Sequence, residues 1–285
     1  MAPRTTLPRD VGAAVLAAED AVAVAIALRE GLYRLASPAD VLAGWLARRA
    51  PIPPLWLRRH IGSASASRYL SIVSDAEALL DELLGRSPIE TVLDLGCGCG
   101  AMIPYVQRRL PRRGRYLGVD VHEGCLQWCR KRFAADDRLA FRAPPLPAAG
   151  DSACGYDLVL AKSLFTHLMP AEAVDCLGAI AERLSGNGQV VLTAFLFDGL
   201  GAVPALPNPR QDGLVRHRYR CRPRAAVGFD RSLFAGWLED AGLEVQESRL
   251  WFWPGHHAEL SAQDVVVCRR RGARAALASA APTRA

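Results

Sequence analysis

The stretch Val92-Leu93-Asp94-Leu95-Gly96-Cys97-Gly98-Cys99-Gly100 decides how this sequence is read. A short apolar run meets an acidic residue, and three glycines then follow at alternate positions. Glycine lacks a Cβ, so Gly96, Gly98 and Gly100 permit positive φ and let a ligand lie against bare backbone. The pattern predicts a buried strand, a tight turn and a helix over 101–110. The first amide groups and positive dipole end of such a helix suit an anionic ligand group. In a doubly wound sheet this turn falls at the carboxyl edge, where ligands bind.

Outward from the turn, apolar strand-like runs alternate with helical periodicity. Strands are expected at 91–93, 116–119, 139–141, 157–161, 189–195, 244–250 and 264–269, and helices at 69–84, 101–110, 123–134, 170–184 and 230–241. Such alternation implies an α/β fold, a Rossmann-like, mostly parallel sheet covered on both faces. No helix separates the last two strands, which predicts an antiparallel C-terminal hairpin at one edge. The link 143–155 is short and proline-rich, so one flanking helix is expected to be missing. Before this domain, Val11, Val15, Val22, Ile26 and Tyr33 recur at helical spacing, and Ser37-Pro38-Ala39-Asp40 reads as the start of a second helix over 41–49. Pro51-Ile52-Pro53-Pro54 stops it. The expected organisation is a helical extension or cap at 1–60, a ligand-binding domain at 61–272 and a disordered tail at 273–285.

Composition narrows the class. Apolar residues make up 51% of the 285 and charged residues 22%, which suits a folded globular chain. The net charge of +6 arises from 35 basic and 29 acidic residues, a balance that permits an acidic partner without requiring one. Of the eight cysteines, none forms a C-x-x-C pair, and no zinc-ribbon spacing occurs, so free thiols in a reducing compartment are expected and no metal. The apolar stretch 21–28 is bracketed by charges and falls short of a membrane span, which predicts a cytoplasmic chain without membrane attachment.

The glycines alone leave two cofactors open, since Gly96-x-Gly98-x-x-Ala101 satisfies the weak dinucleotide pattern. Asp94 shifts the balance, because a carboxylate there meets a cationic or donor-rich ligand rather than a pyrophosphate. Asp120 ends the next strand, where it reads either as a helix cap or as an acceptor for two ribose hydroxyls. The segment Val92 to Gly100 closely resembles motif I of the class I S-adenosylmethionine-dependent methyltransferases. The resemblance continues through Tyr116 to Cys129, Tyr156 to Leu168 and Ala181 to Phe197, and spans residues 61–271. It implies S-adenosylmethionine as cofactor, with Asp94 near the methionine portion and Gly96, Cys97, Gly98 and Gly100 laying their backbone against it. It further implies Asp120 on the ribose, Val121 under the adenine, and Lys162 and Ser163 completing the contacts. Phe141-Arg142-Ala143-Pro144-Pro145 departs from the family, which usually places an acidic or amide residue near the adenine.

Methyl transfer from a sulfonium is an in-line displacement, and a base is needed only for an acceptor that must lose a proton. His167, after the fourth strand, is the first candidate base, and a packed or helix-capping histidine is the competing reading. His217, His256 and His257 are weaker candidates. The long connection 198–226 carries the basic run 216–224, which reads as a solvated loop or as a cover for an acidic acceptor. Trp251-Phe252-Trp253 suits stacking on a substrate ring and core packing equally. After the fourth strand, Ala161-Lys162-Ser163-Leu164-Phe165 lacks the Asn/Asp-Pro-Pro-aromatic signature that holds a flipped base, so nucleic acid is not the expected partner. A small-molecule acceptor, methylated on oxygen or nitrogen, is expected. The N-terminal helices and the 198–226 segment would shape its pocket, and the same helices offer a route to a dimer. An NAD(P)-dependent oxidoreductase and a non-catalytic relative are the alternatives.

Overall fold

Apolar runs of four or five residues, too short for helices and flanked by glycine and charge, become the strands of a sheet that both faces bury. The computed structural model describes residues 52–59, 65–85, 89–146, 155–199, 206, 208–209, 213–249 and 263–272, together with Leu28 and Leu32, which are helical. The expected helix over 41–49, the Trp251-Phe252-Trp253 set, His256, His257 and the tail lie outside the described residues. The chain divides into two units, Met1–Leu70 and Ser71–Ala285. In the first, a short helix α1 (Leu55–Arg58) follows Pro54, and buried Arg58 donates to the Pro53 carbonyl at 2.8 Å. Helix α2 (Ala66–Leu84) crosses the division and ends at Gly85, whose φ of +51° suits a glycine stop.

The second unit contains β1 (Thr91–Leu95), α3 (Ile103–Arg109), β2 (Arg115–Val119), α4 (Glu123–Arg132), β3 (Leu139–Arg142), β4 (Tyr156–Ala161), α5 (Pro170–Arg183), β5 (Leu184–Phe197), β6 (Asn208–Pro209), β7 (Val215–His217), β8 (Val227–Asp230), α6 (Arg231–Asp240), β9 (Leu243–Arg249) and β10 (Asp264–Arg270). The strands lie in the order β3-β2-β1-β4-β5, and β5 passes to β10 and then β9. All neighbours in that path are parallel except β10, which runs antiparallel to both β5 and β9. The Rossmann-like, mostly parallel arrangement therefore matches expectation, with its antiparallel strand lying one place in from the edge.

Successive residues of each strand face opposite ways, and two apolar cores result. Leu93, Val159, Ala161, Val190, Leu192 and Val266 join α5 and α6 on one face. Val92, Leu158, Leu160, Val191, Val265 and Val267 join α3 and the Ala76–Leu84 part of α2 on the other. Burial on both faces explains why these strands read as continuous apolar runs. At the amino edge, one Asp157 carboxylate oxygen accepts the Glu90 and Thr91 N–H groups at 2.9 and 3.0 Å, and the other accepts Ser185 Oγ at 3.1 Å, tying β1, β4 and β5 together.

Three expectations are corrected. The connection 198–226 is not one long loop: it contains β6 and β7, and β8 follows it at once. Strand β5, expected at 189–195, runs on to Phe197, and its last residues pair with β8 in parallel, Phe195 opposite Gly228. The three strands are short and interrupted by Pro209, Gly213 and Pro223, so they give no periodic signal. Helix α3 starts at Ile103, not at 101, because Gly98 to Met102 are spent in turns. The link 143–155 carries no helix at its described residues.

Asp230 joins this extension to the main sheet. Its carboxylate caps α6 through the Ser232 and Leu233 N–H groups at 2.9 and 3.1 Å and accepts the Gly199 N–H at 3.0 Å. Asp230→Ala should therefore lower unfolding free energy in urea by about 1–2 kcal/mol, the usual cost of a lost N-cap. No change in the unfolding midpoint would show that the cap contributes nothing.

Candidate active site

The parallel register aligns Leu95 with Val119 and Asp94 with Leu160, so the ends of β1, β2 and β4 meet at one edge. There the glycine turn folds over β2. The Gly96 and Cys97 N–H groups both donate to the Val119 carbonyl, at 2.8 and 3.2 Å. Gly96, Gly98 and Gly100 adopt φ of +74°, +52° and +76°, a region L-residues with side chains rarely enter. At Gly100 space matters as well, since a Cβ would approach Ile103 Cδ1 to 2.5 Å.

Asp120 is bound to the turn. One carboxylate oxygen accepts the Gly98 N–H at 2.8 Å and the other accepts the His122 N–H at 2.7 Å. Asp120 does not cap α4; His122 does, its Nδ1 accepting the Cys125 N–H at 3.2 Å. Each Asp120 oxygen keeps further acceptor capacity, which fits a pair of vicinal hydroxyl donors. Val121, next along, is 85% exposed, an apolar side chain standing at the same edge.

Asp94 lies below the turn with 1% exposure and accepts the Tyr116 hydroxyl at 2.8 Å. Burial pushes its carboxyl up from 3.8 to about 7, Tyr116 holds it down, and the Asp120 and Lys162 charges act up and down in turn. Lys162, half-buried at the end of β4, is pulled down to about 8 by loss of solvent, with Asp94 opposing that shift. Asp94 and Lys162, whose charges act on one another, are thus both shifted toward the physiological range.

The cysteines hold the turn from beneath. Cys97, Cys99, Cys125 and Cys129 are all buried, with Cys99 and Cys125 sulfurs 3.3 Å apart and Cys129 Sγ 3.5 Å from the Gly98 carbonyl oxygen. A Cβ on Gly118 would meet Cys97 Sγ at 3.0 Å, so the Cys97 thiol is turned into the core and only its backbone lies along the turn. Burial raises the Cys97 and Cys129 thiols, which are packing groups rather than nucleophiles. Among the described residues no set of three or more His, Cys, Asp or Glu side chains is placed to hold a metal ion.

The loop after β4 packs against the turn through Leu164, whose Cδ1 would lie 3.5 Å from a Cβ on Gly96. Fully buried Phe165 anchors the loop on α6, edge-on to Phe234 at 5.5 Å between ring centres. Ser163 has φ of +58°, and its N–H donates to Thr193 Oγ1 at 2.7 Å. The Ser163 and Thr193 hydroxyls both donate to Gln263 Oε1, at 3.1 and 2.5 Å. His167 is exposed, with Nδ1 2.8 Å from the Arg224 carbonyl oxygen. His217, one of the weaker base candidates, is by contrast buried and lies in a strand, β7, rather than in a loop.

The glycines, Asp94, Asp120, Val121, Lys162, Ser163 and His167 therefore gather at the carboxyl edge or on the loop that leaves it. Tyr116, His122, Thr193, Gln263 and Arg224 were not singled out from sequence. Tyr116 had a signal, the strand alternation that puts it beside Val92. Gln263 had none, being 100 residues from Ser163.

Against known proteins, residues 93–190 match the family model described as a methyltransferase domain. The aklanonic acid methyltransferase of Streptomyces sp. (strain C5) is 28% identical over 162 residues, covering 53% of this chain and 69% of that protein. Among solved structures, the 1,6-didemethyltoxoflavin-N1-methyltransferase of Burkholderia thailandensis, with bound 1,6-didemethyltoxoflavin and S-adenosylhomocysteine, superposes with a TM-score of 0.52 at 22% identity, over 70% of this chain and 79% of that one. A Pyrococcus horikoshii OT3 protein gives 0.50 at 14% identity, over 71% and 91%. These structural likenesses bear on the fold.

The Asp94 carboxyl is raised in the folded chain. Its contribution to stability is therefore fully present below pH 3.8 and is lost as the pH rises through about 7. Tyr116→Phe removes the bond that lowers it. In carboxyl-carbon NMR titrations, Asp94 should titrate near 7 in the parent chain and higher in Tyr116→Phe. A value in the ordinary carboxylate range, unmoved by the substitution, would contradict this environment.

Proposed function

We infer that this chain is a class I methyltransferase that carries the methyl group of S-adenosylmethionine to an oxygen or nitrogen of a small molecule. The observation that carries this reading is the pair of acids around the glycine turn, Asp94 beneath it and Asp120 hydrogen-bonded to Gly98.

The residues suit this cofactor. Positive φ at Gly96, Gly98 and Gly100 folds the turn so that its backbone borders the seat proposed for the methionine portion, with Asp94 beneath it, negative once ionised. Asp120 has acceptor capacity for the ribose hydroxyls, and exposed Val121 offers an apolar seat for the adenine. Lys162 and Ser163 line the far side. When bound, S-adenosylmethionine supplies an electrophilic methyl group on a sulfonium. The protein's own work is to bind, orient and exclude water, so that the acceptor stands in line. His167, exposed on the loop after β4, is read as the group that takes a proton from an acceptor that carries one.

Residues 1–60 are read as a helical cap, 61–272 as the catalytic domain and 273–285 as a tail. No described helix is long and apolar enough to cross a membrane. Cytoplasmic residence, a small-molecule rather than nucleic-acid acceptor, and association through the N-terminal helices complete the reading. The NAD(P) reading has less support, because a buried carboxyl under the turn opposes a pyrophosphate.

Calorimetric titration with S-adenosylmethionine, S-adenosylhomocysteine and NAD(P) tests this. The two adenosyl ligands should bind, and Asp94→Ala and Asp120→Ala should each weaken S-adenosylhomocysteine more than tenfold, about 1.4 kcal/mol. Binding of NAD(P) alone would sink the reading. If the ionised Asp94 is the form that binds, S-adenosylhomocysteine affinity should fall roughly eightfold between pH 7.5 and pH 6, following the ionised fraction, and this dependence should vanish in Asp94→Asn.

A further inference from the structure

We propose that the segment before β8 is a positioning device for His167: the Arg224 carbonyl, held in place by the Arg224–Glu172 ion pair, fixes the imidazole as its Nδ1–H tautomer and leaves Nε2 as the proton acceptor. The proposal rests on the methyl-transfer reading above and deepens it by defining the kind of acceptor.

A carbonyl oxygen has no proton to give. At 2.8 Å from it, His167 Nδ1 must be the donor, and in the neutral ring Nε2 then carries the lone pair. The ring's own loop is closed from within. Thr166 Oγ1 donates to the Ser163 carbonyl at 2.7 Å, and the His167 N–H donates to the Leu164 carbonyl at 3.0 Å. The same loop is strapped to the partner segment by the Val227 N–H, which donates to the Thr166 carbonyl at 2.8 Å. Buried Phe165 fixes one side, so exposed His167 is held at a defined place on a rigid turn.

The carbonyl itself is carried by a single 3-10 turn, Pro223–Ala225. The Arg224 guanidinium reaches across to Glu172 in the first turn of α5. Glu172 is fixed in turn, accepting the Met169 N–H at 2.8 Å with the same carboxylate oxygen. Loop and 3-10 turn are thus joined at His167, at Thr166 and, through Glu172, at the start of α5. An exposed ion pair contributes little to global stability. Its consequence is local, namely where one carbonyl points.

This arrangement suits a protic acceptor, a hydroxyl or an N–H, rather than a carboxylate that is already ionised. As the acceptor's lone pair forms its bond to the methyl carbon, the C–S electron pair returns to sulfur. The acceptor's proton passes to Nε2, leaving imidazolium stabilised by the Arg224 carbonyl. Atoms and charge balance without a metal or a redox partner.

Long-range ¹H–¹⁵N correlation spectra of the full ¹⁵N-labelled chain, at mildly alkaline pH, read the tautomer directly. His167 is assigned by its absence in His167→Asn, whose amide retains a donor to the Arg224 carbonyl. The expected spectrum has a protonated Nδ1 and an unprotonated Nε2. In Arg224→Ala and Glu172→Gln, both at exposed positions, the signals should move toward a mixture with the Nε2–H form, while S-adenosylhomocysteine affinity by calorimetry stays within twofold. A parent chain already in the Nε2–H form, or variants with an unchanged tautomer, would overturn the proposal while leaving cofactor binding intact. Failure of the parent chain to bind S-adenosylhomocysteine would instead remove the methyl-transfer reading, and this proposal with it.

Discussion

Two backbone N–H groups converge on the Asp120 carboxylate, one from Gly98 in the glycine turn and one from His122 at the start of α4. This convergence requires β1 and β2 to be parallel and in register, so that Leu95 and Val119 end together. It also requires positive φ at the glycines, because only then do their N–H groups turn toward β2. Sheet register, turn conformation and helix entry are all tied to one side chain. A ligand that uses Asp120 therefore meets a carboxylate already oriented, which lowers the ordering cost of binding.

Beneath that carboxylate the turn rests on packed thiols and on Asp94, and above it lies the loop after β4. These layers respond differently to water. Cysteines 97, 99, 125 and 129 are small, apolar fillers that let α4 approach the turn closely. Asp94 is the polar exception, kept by one phenol and poised near neutrality. Burying an acid with a single partner is costly to folding, and such cost concentrates at functional sites. The extension β6-β7-β8 adds to this frame from the far end of β5. It delivers the Arg224 carbonyl to a loop that the main sheet alone would leave open on that side.

Much of this was legible in the sequence, for reasons that differ by residue. Strand-turn-helix order around Gly96 depends on local chemistry, so fold and turn could be read directly. Asp120 was legible by position, but its bond to Gly98 was not, since it depends on the register of two strands. The short strands β6 to β8 were hidden by Pro209, Gly213 and Pro223, and by having no amphipathic period. Gln263 and Arg224 act on residues 100 and 57 positions away, and no periodicity reports such contacts. The site's local parts were visible, and the parts made by tertiary approach were not.

On the proposed function, the glycine turn and the end of β2 together hold an adenosyl sulfonium cofactor. Amide ¹H–¹⁵N chemical-shift mapping of the labelled chain with saturating S-adenosylhomocysteine reads that seat residue by residue. The largest shifts should fall on Gly96, Gly98, Gly100, Asp120 and Val121, with smaller ones on Lys162 and Ser163. Shifts centred elsewhere, or an unchanged spectrum at saturating ligand, would contradict it.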